Sequence, residues 1–112
     1  MIRAMINGAS YALAGLKAAS TQFAARADNI ANVQTPAYRR AVPDQVSTSG
    51  GPQVTVRREA PPEPAFPGGP ANNVRLEEEL VAAKLSETAY KAAARVLRAA
   101  DEVTEETLDI LT

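Results

Sequence analysis

The sequence predicts an all-α protein: two long terminal helices that pair as an antiparallel or coiled-coil-like hairpin, joined by a Pro/Gly-rich connector with at most a short β segment. Three observations predict it. Apolar residues recur at heptad spacing near both ends. Seven of the eight prolines lie between Pro43 and Pro70. The chain has 112 residues, two Phe, three Tyr and no Trp, which allows one domain and no thick core.

The first segment, residues 1–32, reads as a helix over 2–31. Ile2, Ile6, Ala9, Leu13, Leu16, Ser20, Phe23, Ala27 and Ile30 step alternately by four and three. That is a heptad seam interrupted only by Ser20. A helix of this length with one apolar stripe requires a partner helix.

Residues 33–73 form the connector. Ser47-Thr-Ser-Gly-Gly-Pro52 reads as flexible linker. Gln53-Val-Thr-Val-Arg57 alternates as one short strand does. Ala60–Pro70 reads as extended, polyproline-like chain.

The last segment, residues 74–112, reads as a second helix, with Asn72 or Asn73 as its N-cap. Glu77, Glu78 and Glu79 occupy the first turns, where the helix dipole favours acids. Leu85, Ala89, Ala92, Val96, Ala99, Val103, Glu106 and Ile110 trace a second heptad-like seam, widened by Tyr90 and Leu97. The expected pairing seam thus joins Ile6, Leu13, Leu16, Phe23 and Ile30 to Leu85, Tyr90, Val96, Leu97, Val103 and Ile110.

Composition narrows the chemistry. There is no Cys and no His, which removes disulfides, thiolates, imidazole bases and the usual zinc ligands together. The Glu77–Glu79 run is explained by the helix start, and no phosphate-cradling glycine loop is present. The expectation is no enzyme, no metal and no cofactor. Arg39-Arg40 and Arg57-Arg58 are small basic pairs in a chain of net charge −1, so no nucleic-acid partner is expected. No apolar run reaches the ~18 residues of a membrane span, and no cleavable signal peptide is evident. Charge is segregated: residues 1–58 hold seven basic and two acidic side chains, residues 59–112 five basic and eleven acidic. The halves are suited to attract each other, within one chain or between copies.

The most specific stretch is Asn29-Ile-Ala-Asn-Val-Gln-Thr-Pro-Ala-Tyr-Arg-Arg40. Asn32 suits a left-handed C-cap. Pro36 drives Thr35 out of the helical region. Those residues explain a stop; Asn29, Tyr38 and the arginines are surplus to it.

Residues 12–40 resemble the N-terminal signature of the bacterial flagellar rod and hook axial-protein family. The matching positions are Asn29, Ile30, Ala31, Asn32, Thr35, Pro36, Tyr38 and Arg39. Residues 72–111 resemble the same family's C-terminal signature through Asn73, Val74, Leu76, Glu78, Glu79, Ala89, Tyr90, Ala92, Ala94, Val96, Ala100, Asp101 and Glu102. The short middle is most like a small proximal rod protein. Asp28, Gln34, Ala37 and Arg75 depart from the pattern, and Ala37 replaces a glycine whose backbone angle matters if φ is positive.

The resemblance implies a structural subunit of the basal-body rod, exported without a cleaved signal and self-assembling through its terminal helices into a tube. Its implied partners are other rod and axial subunits and the flagellar export apparatus. The alternative is a soluble helical adaptor or regulator derived from the same fold; membrane-surface binding by the first helix is weaker, with only Arg3, Lys17 and Arg26 to meet anionic lipid.

Overall fold

The computed structural model describes residues 2–60 and 72–111. Two long helices pack together with a two-stranded antiparallel hairpin between them in sequence. Helix α1 is Ile2–Ala31, strand β1 Ala41–Thr48, strand β2 Gly51–Arg58 and helix α2 Leu76–Leu111. The polyproline-like reading of the segment up to Pro70 falls outside the described residues, apart from Ala60.

The helices run antiparallel. Asn29, near the end of α1, bonds Glu79, near the start of α2. A Cβ on Gly15 would lie 3.6 Å from the Ala93 Cβ, midway along both. The contact therefore follows Gly15, Arg26 and Asn29 on α1 and Glu79 and Ala93 on α2. Extended at helical spacing, the line on α1 passes through Ala12, Ala19 and Gln22. It lies one residue, about 100°, from the apolar seam.

This corrects the expected pairing. Phe23 is 44% exposed, Leu85 66% and Ile110 85%, and Ile6, Leu13, Tyr90, Val96 and Val103 are exposed as well. Leu16, Ile30 and Leu97 are half-buried. Among the described residues the buried hydrophobic side chains are all alanines: Ala12, Ala18, Ala19, Ala25 and Ala41. Small residues won because they let two backbones approach closely while a ribbon packs on α1; bulkier side chains hold helices farther apart.

The connector is more ordered than its composition suggests. Ser47–Pro52, expected as flexible linker, is the hairpin tip and its flanks, with Thr48 opposite Gly51. The strand expected at Gln53–Arg57 lies inside β2. Strand β1 escapes sequence reading because Pro43 and Asp44 interrupt it, yet a proline is tolerated in a hairpin with a free edge. Asp44 reaches diagonally across to Arg57, Oδ2 to Nε 2.7 Å.

Two strands alone are marginal in water. This pair is held along α1, with β1 antiparallel to the helix. Ala41 sits at Asn29, Gln45 accepts a 2.8 Å bond from the Gln22 side chain, and the Tyr11 hydroxyl donates to the Ser49 carbonyl at 2.8 Å. The lengths agree: eighteen helical steps and eight strand steps each span about 27 Å.

Gly51 sets the closest approach. Its φ is +113°, and an added Cβ would lie 2.8 Å from Ala14 Cβ and 3.2 Å from the Tyr11 ring. Both the angle and the space demand glycine. Gly51→Ala should lower unfolding free energy by about 2 kcal/mol. Urea denaturation followed by circular dichroism measures this; an unchanged midpoint would mean that the hairpin does not seat on α1.

Candidate functional site

The side chains of the Asn29–Arg40 stretch converge with the start of α2. Asn29 is fully buried. Its Nδ2 donates to the Ala41 carbonyl at 2.8 Å and to Glu79 Oε2 at 3.0 Å. Its Oδ1 accepts from the Ala41 N–H at 2.8 Å and from the Tyr38 hydroxyl at 3.1 Å. Two donors and two acceptors are the whole capacity of a carboxamide. Toward Ala41 the side chain acts as a neighbouring strand would, taking both main-chain groups of one residue.

Glu79 is also fully buried. Two guanidinium groups flank it: Arg26 Nη1 at 3.3 Å and Arg40 Nη1 at 3.7 Å. Arg40 further meets Glu59 at 2.9 Å and Glu78 at 3.5 Å. The Glu59 bond is the largest influence holding Arg40 protonated, and it lowers the Glu59 carboxyl below its usual range. Arg40 Nε is buried and has no partner among the described residues. A buried carboxylate between two cations stands only while both remain.

Asn73 closes the open end of the hairpin. The Arg40 N–H donates to its Oδ1 at 2.8 Å, and its Nδ2 donates to the Glu59 carbonyl at 3.0 Å. The Glu59 N–H still donates to the Arg40 carbonyl at 2.9 Å, and the Asn73 amide bridges the other N–H and carbonyl of that pair. Asn72 serves the other helix. Its Nδ2 lies 2.7 Å from the Asn32 carbonyl and 2.8 Å from that of Thr35, meeting main-chain oxygens left over at the end of α1. Its Oδ1 accepts from the Val74 N–H. Neither residue caps α2 as expected: that helix begins at Leu76, and the Glu79 N–H donates to the Arg75 carbonyl.

The helix exit differs from the expected left-handed C-cap. Asn32 has no positive φ. The last turn instead tightens, with Val33 N–H donating to the Ile30 carbonyl and Asn32 Nδ2 to the Asp28 carbonyl. The left-handed residue is Ala37, at φ 62°. Tyr38 N–H donates back to the Thr35 carbonyl at 3.3 Å, so Pro36 and Ala37 are the central residues of a type II turn. That turn wants proline first and glycine second; alanine there is strained.

Tyr38 links this turn to the hairpin. Its hydroxyl lies 2.9 Å from Asp28 Oδ2 and accepts from Arg58 Nη1 at 3.0 Å, with the guanidinium 5.5 Å above the ring. Burial is the largest influence on the phenol and raises its pKa. Of the remaining motif residues, Ala31, Pro36 and Arg39 are exposed, and the Arg39 carbonyl accepts from Arg58. Sequence reading marked Arg40 only as surplus charge in the stretch and read Glu79 only as part of a helix start; it missed Arg26, Arg58 and Asp28 as members of this cluster. Charge by itself gave no signal, because solvated and buried arginines look alike in sequence.

The cluster ties α1, the hairpin and α2 together as a clamp. Glu79 is saturated by cations and an amide, and no group of three or more Asp or Glu is arranged around a metal position among the described residues. Away from it, apolar side chains emerge on two sides of the helix pair. Leu85 borders a groove with Gln22, Arg26 and Pro43 on the hairpin side. Phe23 and Tyr90 face each other across a separate groove of about 310 Å³ floored by Ala19 and Ser86. No helix among the described residues is long and apolar enough to cross a membrane.

No family model and no curated protein matches this chain.

Three outcomes are expected. Asn29→Asp, which sets oxygen against the Glu79 carboxylate and the Ala41 carbonyl, should cost about 3 kcal/mol in urea denaturation; a loss below about 1 kcal/mol would mean that the clamp does not hold the fold. Ala37→Gly should gain about 1 kcal/mol by relieving the positive φ, read as a raised thermal midpoint. The third concerns pH. The folded Glu59 carboxyl is depressed by Arg40, so its contribution is present above the unfolded carboxylate range and fades as pH falls through the folded one. Stability measured from pH 7 down to pH 3 should fall less steeply in Glu59→Gln, by a small margin because the Glu59 side chain is partly exposed to solvent.

Proposed function

We propose that the protein is a structural subunit of the bacterial flagellar basal-body rod, built into a tubular axial assembly through its terminal helices. It acts through association and carries out no catalysis. The observation that carries this reading is the inverted distribution of its apolar side chains. Small residues, Ala12, Gly15 and Ala19 on α1 and Ala93 on α2, lie along the contact between helices, while Leu13, Phe23, Leu85, Tyr90, Val96, Val103 and Ile110 remain exposed. Large exposed apolar faces mark interaction surfaces. Faces on two sides of one helix pair suit a subunit with more than one neighbour, as a tube requires.

The resemblance at both ends supports the same reading. The motif residues that stood out in sequence have a mechanical use: Asn29, Asn32, Thr35 and Tyr38 fix how the chain leaves α1 and meets α2. A subunit exported as a thin helical chain and locked on assembly needs such a fixed corner. Its partners would be other axial subunits, and its location the rod in the cell envelope.

Deletion of the gene should abolish swimming and leave basal bodies without a complete rod, with motility restored by the gene in trans. The tagged protein should co-purify with hook–basal bodies. A fully motile deletion strain together with a tagged protein confined to the cytosol would instead favour the soluble adaptor.

A further inference from the structure

The exposed seam of α2 has a second property: it is complementary to itself in reverse. The residues at heptad positions from Leu85 to Ile110 are symmetric about a point between Val96 and Ala99. Laid antiparallel on a second copy about that point, Leu85 meets Ile110, Ala89 meets Glu106, Ala92 meets Val103 and Val96 meets Ala99. Two of these four pairs oppose a large apolar side chain to a small one, as close helix packing needs, and Glu106 lies over an alanine, from which its carboxylate reaches solvent at the edge of the face. All eight side chains are exposed.

Charge follows the same reversal. Lys84, Lys91 and Arg95 lie before the midpoint and Arg98 just past it; Asp101, Glu102, Glu105 and Glu106 lie beyond. Lys84 and Lys91 are partly answered by Glu87. Arg95, Arg98, Asp101, Glu102 and Glu105 have no ion-pair partner among the described residues. An antiparallel copy brings each basic segment beside an acidic one, and Arg95 of one chain near Glu102 of the other, twice by symmetry. A parallel copy in register sets like charges together.

We propose that the face of α2 from Leu85 to Ile110 is a self-association surface, occupied by the same face of a second copy in an antiparallel, two-fold arrangement. The face is distinct from the Phe23–Tyr90 groove and adjoins Arg26 of the clamp only at its Leu85 end; a two-fold contact closes on itself, so the pair is a state of the free protein and not a contact within a polar tube.

The chain has no cysteine, so disulfide trapping reads this register directly. Leu85→Cys and Ile110→Cys proteins, mildly oxidised, should cross-link rapidly when mixed and poorly when each is alone. The two positions are about 37 Å apart along one helix and cannot bridge within a chain. Faster cross-linking of each variant with itself would overturn the antiparallel register. A monomeric mass of the unmodified protein by sedimentation up to about 100 μM, which corresponds to a free energy weaker than roughly −5.5 kcal/mol, would overturn the association. In a second arm, Arg95→Glu and Glu102→Arg should each weaken the dimer about fivefold to tenfold, with helicity unchanged by circular dichroism. The double variant Arg95→Glu/Glu102→Arg should recover the original affinity. Additive weakening in the double variant would overturn the proposed charge pairing.

Discussion

The structure depends on one side chain behaving as a strand. Asn29 lies on a helix, yet it offers Ala41 the donor and acceptor that a neighbouring peptide would offer. This is how a ribbon of two strands begins in contact with a helix without leaving main-chain groups unpaired. The same amide binds Glu79, so α1, β1 and α2 are registered through one group. Three of its hydrogen bonds go to Ala41 and Glu79 and a fourth shares the Tyr38 proton with Asp28, so neither a rotation of α1 nor a slip of β1 leaves the site satisfied. Arg26 and Arg40 then make a buried carboxylate tolerable at that junction.

That corner explains the unusual interior. A protein of this size normally stabilises itself by burying large apolar side chains. Here the polar corner and the hairpin, seated through Tyr11, Gln22 and Gly51, orient the helices so that small residues such as Gly15 and Ala93 meet. The larger residues are turned outward. Burial of alanine contributes little area per residue, so the isolated chain relies heavily on its polar contacts. The apolar surface kept exposed is the surface that an assembly would cover.

Sequence reading and structure part company where three-dimensional neighbours matter. The 3.6-residue period located both helices nearly to the residue, because periodicity is a property of local chain geometry. It did not say which stripe would be used. Two stripes a residue apart both have heptad spacing, one apolar and one running from small residues (Ala12, Gly15, Ala19) to polar ones (Gln22, Arg26, Asn29); hydrophobicity favoured the former, and the polar corner and hairpin selected the latter. The hairpin was half visible, at Gln53–Arg57. Its other strand was hidden by Pro43 and Asp44, whose effect on a strand depends on which edge is free. The motif residues Asn29 and Tyr38 were legible as surplus polarity. Their partners Arg26, Arg40, Glu79 and Arg58 became identifiable as such only when segments up to fifty residues apart were brought together.

The sequence by itself determined where the chain is helical, that α1 must stop near Pro36, and that disulfide and imidazole chemistry is absent. It also marked Ala37 as the position where a missing glycine would matter, and the positive φ there follows from the turn that Thr35 and Pro36 impose. The tertiary structure decided which helix faces meet, that the polar stretch is a buried clamp, and that the apolar seams remain outside. The physical reason is that backbone preference acts between neighbours in the chain. Burial, and the cost of leaving a buried amide or carboxylate unpaired, is settled only by everything packed around it.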